Sequence, residues 1–180
     1  MKKSSTLFAV LGVLAKGPAA GYDIRKQFSG SLRYFWSESY GQIYPTLKEI
    51  VEMGLAVMEE MPSGSRTRKV YRLTPEGETR FREWLAEPVA PLTYRDELLL
   101  KVYFSGPEHK KEIKALFQAE AAMLEETLAL YRAQEQEIGA HFEGEETPYW
   151  QLTLRYGVLS TEARLQWCRE SIAWLDRKKG

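Results

Sequence analysis

Three cations, Arg66, Arg68 and Lys69, follow closely on Pro62-Ser63-Gly64-Ser65. Side chains of this kind neutralise phosphate, and an arginine can also enter a narrow minor groove. Upstream, Ile43, Leu47, Ile50 and Leu55 recur near a 3.6-residue period, which gives a helix an inward face and turns Gln42, Thr46, Lys48 and Glu49 to solvent. A polar helix face followed by a ribbon with a cationic tip is what a winged helix-turn-helix uses. The helix enters the major groove and the ribbon meets phosphate or the minor groove. The same pattern also fits a solvated amphipathic helix beside a soluble hairpin.

Other chemistry finds little support. His109 and His141 stand too far apart, and too poorly accompanied, to bind a metal. No glycine-rich phosphate loop follows a strand, and neither a Ser-x-x-Lys nor a Gly-x-Ser-x-Gly nucleophile pattern occurs. Catalysis and a cofactor are therefore not expected. Cys168, the single cysteine, excludes an internal disulfide and reads as a small core residue on an apolar stripe. Trp36, Tyr103, Trp150, Trp167 and Trp174 could line a pocket for a small aromatic effector where a reading domain meets helices. For any one of these rings, core or subunit packing is the stronger expectation.

The elements that would position these residues can be read in order. Leu7, Val10, Leu11 and Leu14 predict a helix over 5–16, ended by Gly17-Pro18, and Ile24 with Phe28 predicts a second over 21–28. The third helix has a conflicted start. Ser39 and Gln42 have capping-box spacing, whereas Pro45 removes an internal hydrogen bond, so an irregular first turn is expected. Gly54 ends it. Apolar 55–61 and alternating 70–74 read as a hairpin about the Pro62–Ser65 turn. Thr74-Pro75 then starts a helix carrying Phe81, Trp84 and Leu85 on one side. Pro88-Val89-Ala90-Pro91 divides the chain into a winged-helix domain at 1–87, a linker at 88–92 and a helical domain at 93–180.

Charge is divided the same way. Through Ala86 there are 13 basic against 9 acidic side chains, and thereafter 12 against 16, within a formal net charge of zero. A basic reader joined to an acidic assembly module fits that asymmetry. With 44% hydrophobic and 28% charged residues, the composition is that of a soluble globular protein, and no apolar run is long enough to span a bilayer. A cytoplasmic location is expected. Leu98 to Phe104 is apolar on nearly every side and should lie between neighbours. From Phe117 to Phe142 the seam Phe117, Ala121, Leu124, Leu128, Tyr131, Glu135, Ile138 and Phe142 steps by fours and threes, a coiled-coil pattern. The last helix carries two stripes. Leu152, Tyr156, Leu159 and Ala163 form one, and Leu154, Val158, Leu165, Cys168, Ile172 and Leu175 the other. One helix can cover only one stripe, so a second copy of the chain is expected over the other. The alternative is a monomeric bundle in which the Leu98–Phe104 helix covers it.

These residues resemble the PadR-type transcriptional regulators over essentially the whole length. The motifs are Leu11-Gly12-Val13-Leu14, Gly21-Tyr22-Asp23-Ile24, Gly41-Gln42-Ile43-Tyr44-Pro45-Thr46-Leu47-Lys48, Gly54-Leu55 and Tyr71-Arg72-Leu73-Thr74-Pro75-Glu76-Gly77. Two long C-terminal helices look like the longer, AphA-like subgroup. The resemblance implies a mainly α protein with a β-hairpin wing, and a C-terminal antiparallel helical dimerisation domain. It also implies a homodimeric repressor on a pseudo-palindromic double-stranded operator, in some relatives released by a small aromatic ligand. Carried onto this sequence, Ser39 and Gln42 would reach base edges or phosphate. Tyr44 would donate to phosphate, or be core if the helix is rotated, and Pro45 belongs to the same motif. Lys48, Arg66, Arg68 and Lys69 would neutralise phosphates, with Arg68 best placed for a minor groove, and Tyr22 would touch the backbone from the second helix. A protein-interaction module, with a winged helix docking protein and a coiled coil as scaffold, is the competing class.

Overall fold

Leu7, Phe8, Val10, Leu11, Val13 and Leu14 are all buried in α1 (Ser5–Ala15), so this helix is surrounded, where the sequence predicts a single apolar face. The structure is a computed structural model that describes residues 5–29, 36, 40–63, 66–91, 95–141 and 147–177. It divides into two units, Met1–Pro91 and Leu92–Gly180. In the first, α1 packs with α2 (Gly21–Ser29) and α3 (Tyr40–Glu52) around a core that includes Ile24, Phe28, Ile43, Leu47 and Ile50. Thr46 is buried as well, correcting the expectation that it faces solvent. It lies on the flank of the apolar face, about 40° around the helix from Ile50, so the buried side is wider than the apolar stripe. Helix α3 is continuous from Tyr40 with Pro45 inside it, so the irregular first turn is not seen at 40–43. Proline so near the start removes only the bond that would reach the Gly41 carbonyl.

Gly54 adopts φ +72°, the left-handed conformation that ends α3. The chain then forms β2 (Ala56–Ser63) and β3 (Arg66–Leu73), antiparallel with Ala56 opposite Leu73 and Ser63 opposite Arg66. A two-residue strand, β1 (Ala19–Ala20), adds to the other edge of β3, making a three-stranded sheet in the order β1-β3-β2. Pro62 and Ser63 belong to β2 rather than to a turn, so the ribbon is longer than expected. Beyond it Thr74 ties three segments together. Its hydroxyl donates to the Gly54 carbonyl at 2.7 Å and accepts the Gly77 amide at 3.1 Å, while its own amide donates to the Leu55 carbonyl at 3.1 Å. This caps α4 (Pro75–Ala86) and fixes it to the end of α3. Trp84 stacks on Phe8 at 4.9 Å and Phe81 packs beside it. Leu85 is instead 62% exposed, a correction, because it is one residue past Trp84 and so about 100° around the helix.

The second unit contains α5 (Glu97–Tyr103), a short 3₁₀ turn at Pro107–His109, α6 (Lys110–His141) and α7 (Thr147–Arg177). Ile113, Phe117, Ala121, Leu124, Leu128 and Tyr131 are buried along α6, as are Leu154, Val158, Thr161, Leu165 and Cys168 along α7. Lys114 meets Asp176, Arg169 meets Glu125 and Arg132 meets Glu162, a reversed order that makes the helices antiparallel. Glu135 in the expected seam is exposed, while Phe142 and the side chain of Ile138 lie outside the described residues. The two stripes of α7 separate sharply. Leu154, Val158, Leu165 and Cys168 of one stripe are buried, with Ile172 and Leu175 half-buried, whereas Leu152, Tyr156 and Leu159 are 67%, 65% and 49% exposed. Helix α5 does not cover them in the way a monomeric bundle needs. Its own Leu100 and Tyr103, with Phe104 after it, are exposed, so the expectation that it lies between neighbours is not met within one chain. No helix among the described residues is long and apolar enough to cross a membrane.

Candidate nucleic-acid interface

The outer side of α3 is built by burial of its inner side. Ile43, Leu47 and Ile50 have no exposed surface, which leaves Gln42, Tyr44, Pro45 and Lys48 outward. Tyr44 is 56% exposed, so it is not core. Its ring packs over Gly21 at the start of α2, where a Cβ would stand 2.7 Å from Tyr44 Cε1. Tyr22, next in the chain, is 67% exposed, so both phenols are open to solvent while Gly21 brings the start of α2 against Tyr44. Tyr71 of β3 joins them. Burial first, and the nearby Tyr44 second, raise its hydroxyl above the usual phenol range. Lys48 is exposed and pairs at 3.5 Å with Glu52 one turn on, an exposed contact that an incoming phosphate can replace at little cost.

On the ribbon, register separates the cations. Residues facing each other across antiparallel strands share a side, and sides alternate along a strand. Arg68 is opposite Met61 and so shares a side with Glu59 and Arg72, which pair at 3.6 Å. Lys69, opposite Glu60, shares the other side with Tyr71. The expected cluster at the tip is thus spread along β3, because the strands run longer than their apolar pattern. Arg66 is described only at its backbone, opposite Ser63, and Ser39 lies outside the described residues. Sequence reasoning missed Gly21 as the seat of Tyr44, although the Gly-Tyr pair at 21–22 was visible.

The described aromatic residues of the expected effector site pack as follows. Trp36 packs partly buried against the core of the first unit, its indole N–H without a partner among the described residues. In the second unit Trp167 packs edge-on to Phe117 at 5.0 Å and Tyr103 edge-on to Phe104 at 5.1 Å. The side chain of Trp150 lies outside the described residues. Cys168 is fully buried, and burial raises its thiol above the usual range.

Comparison with known proteins agrees with this geometry. Residues 10–83 match the model of the transcriptional regulator PadR-like family, and residues 94–176 that of the virulence activator alpha C-terminal region. The chain belongs to the PadR family of transcriptional regulators. It is 37% identical to the negative transcriptional regulator PadR of Bacillus subtilis over 114 residues, which is 62% of either chain. That matched stretch is less than two thirds of the relative's length. The structure of B. subtilis PadR in complex with operator DNA superposes with a TM-score of 0.86 at 27% identity, covering 96% of this chain and 99% of that one. The Vibrio cholerae virulence activator AphA gives 0.78 at 29% identity, over 95% and 98%. B. subtilis PadR in complex with p-coumaric acid gives 0.79 at 29% identity, over 94% and 98%. The fold is that of these winged-helix regulators.

Proposed function

We propose that this chain is a sequence-specific operator-binding repressor that acts as a homodimer. Residues 1–87 read DNA, 88–92 link and 93–180 assemble. Gln42 meets a base edge, Tyr22, Tyr44 and Lys48 meet phosphates, and Arg68 probes a minor groove with Arg66 and Lys69 on flanking phosphates. Pro45 lies on the same outward side, and Ser39 adds a contact to a base edge or phosphate. The observation that carries this reading is the outward set Gln42, Tyr44, Pro45 and Lys48 on a helix whose opposite side is fully buried. Its support is a relative of the same fold described with operator DNA.

Dimerisation is supported by the uncovered stripe Leu152, Tyr156 and Leu159. Burying such side chains contributes roughly 1.5–3 kcal/mol each, enough to favour a stable pair. Two-fold symmetry then requires a pseudo-palindromic operator with half-sites about one helical turn apart. Release by a small aromatic effector completes the reading, supported by the relative described with p-coumaric acid.

Gel shifts on DNA upstream of the chain's own gene, repeated from 50 to 200 mM salt, test the reading. A reader with six to ten phosphate contacts loses about 10³–10⁵ in affinity over that range. Absent or salt-indifferent binding overturns it. Adding p-coumaric acid to the same shifts tests the effector.

A further inference from the structure

Helix α5 is apolar, yet none of its residues is buried. Apolar helices ordinarily hold their place by burial. Leu98 and Val102 are only half-buried, and the most sheltered contacts at this helix are polar. Arg164 of α7 donates from Nη1 to Oδ2 of Asp96, the residue that caps α5, and from Nε to Oε1 of Glu120 on α6 at 2.5 Å. Asp96 also accepts the Leu99 amide on its other oxygen at 3.1 Å. These side chains are 10% (Asp96), 19% (Glu120) and 26% (Arg164) exposed, more sheltered than the other ion pairs among the described residues. The Trp167 ring lies 5.8 Å from the guanidinium carbon and helps to shelter it.

We propose that Asp96, Arg164 and Glu120 form a latch that fixes α5 to the α6–α7 pair, a positioning role distinct from capping the helix. Arginine suits it because a planar fork can hold two carboxylates at set angles, which a lysine ammonium cannot. Asp96 immediately precedes α5, so the latch acts on the first helix of the second unit. Removing the charge on Asp96 leaves Arg164 paired with Glu120 and breaks the ion pair that reaches the start of α5 from α7. The cost falls on α5, since α6 and α7 keep their apolar seam.

Hydrogen exchange on the full-length protein, read by mass spectrometry, tests this. Asp96→Asn still accepts the Leu99 amide but loses the charge that pairs with Arg164, and Arg164→Met loses the fork. Each is expected to speed exchange in 97–104 by about tenfold or more while 113–131 and 154–168 stay as they were. The double variant is expected to be no faster than either single one. The proposal is overturned if Asp96→Asn is silent while Asp96→Ala is not, since capping alone then holds α5. It is also overturned if α6 and α7 speed up with α5, since the triad is then a general stabiliser. Should Arg164→Met fail to fold, the Asp96→Asn and Asp96→Ala comparison decides the matter.

Discussion

The ring of Tyr44 lies across Gly21, with Cε1 2.7 Å from where a Cβ would stand. An alanine there must displace the ring, which is half exposed and free to swing outward. The cost to stability is therefore small, of the order of 1 kcal/mol for an off-rotamer ring. The cost to DNA binding is larger. Gly21→Ala and Tyr44→Phe are each expected to weaken operator binding by about tenfold, the worth of one hydrogen bond to a charged group. Gel shifts beside urea melts check this. An affinity unchanged in both variants removes Tyr44 from the interface.

The lock at the end of α3 behaves differently. A Cβ on Gly77 would run into the Leu55 carbonyl oxygen, which is backbone and cannot swing away. Gly77→Ala is expected to destabilise the first unit by about 1–3 kcal/mol or more, as overpacking does. Thr74→Val, which keeps the shape but loses both hydroxyl bonds, should cost about 1–2 kcal/mol. Denaturant melts followed at the tryptophans would register both.

How much of this was legible follows from how local each signal is. The α6 and α7 seams could be read because fours and threes repeat over many turns, and Thr74-Pro75 because a cap needs only its neighbours. The two-alanine strand β1 has no pattern to read, and it exists only because β3 offers an edge. Thr46 and Leu85 were misplaced because both sit at the flanks of their stripes, where tertiary packing and not residue type decides burial. The cations of the ribbon were visible, but their division between two sides depends on the register of β2 against β3, which residue types alone do not show. The contact of Asp96 with Arg164 spans 68 residues, and no periodicity announces it.

Lys48 and Arg68 should report as phosphate contacts. Lys48→Ala and Arg68→Ala are each expected to lower the slope of log affinity against log salt by about 0.9, leaving sedimentation mass unchanged. A monomer from either change would contradict the division into reader and assembly domains.

The two stripes of α7 give opposite expectations for the same kind of substitution. Leu159→Asp, on the exposed stripe, should yield a folded monomer, since each lost apolar contact removes roughly 1.5–3 kcal/mol from association. Val158→Asp, one residue away but 2% exposed against α6, should unfold the helix pair. Ultracentrifugation with circular dichroism distinguishes the two. A dimer that survives Leu159→Asp places the partner elsewhere.

The charge on Asp96 predicts a pH dependence whose sign can be worked out. Its hydrogen bond from Arg164 holds the carboxyl below the usual carboxylate range, against the opposing effect of burial. Arg164, whose own ionisation is favoured by Asp96 first and Glu120 after it, stays charged throughout. Folding therefore binds fewer protons at Asp96 than the unfolded chain does in mild acid. The contribution is complete above the unfolded carboxylate's pKa and is lost as pH falls through the depressed one. Wild-type α5 should stay latched at neutral and mildly acid pH and loosen only below the usual carboxylate range. Asp96→Asn should be loose at neutral pH already, so the two proteins converge in strong acid. Exchange in 97–104 followed from pH 7 downward measures it, after correction for the intrinsic rate. A difference that persists below the depressed pKa would mean that Asp96 acts through shape and not through charge.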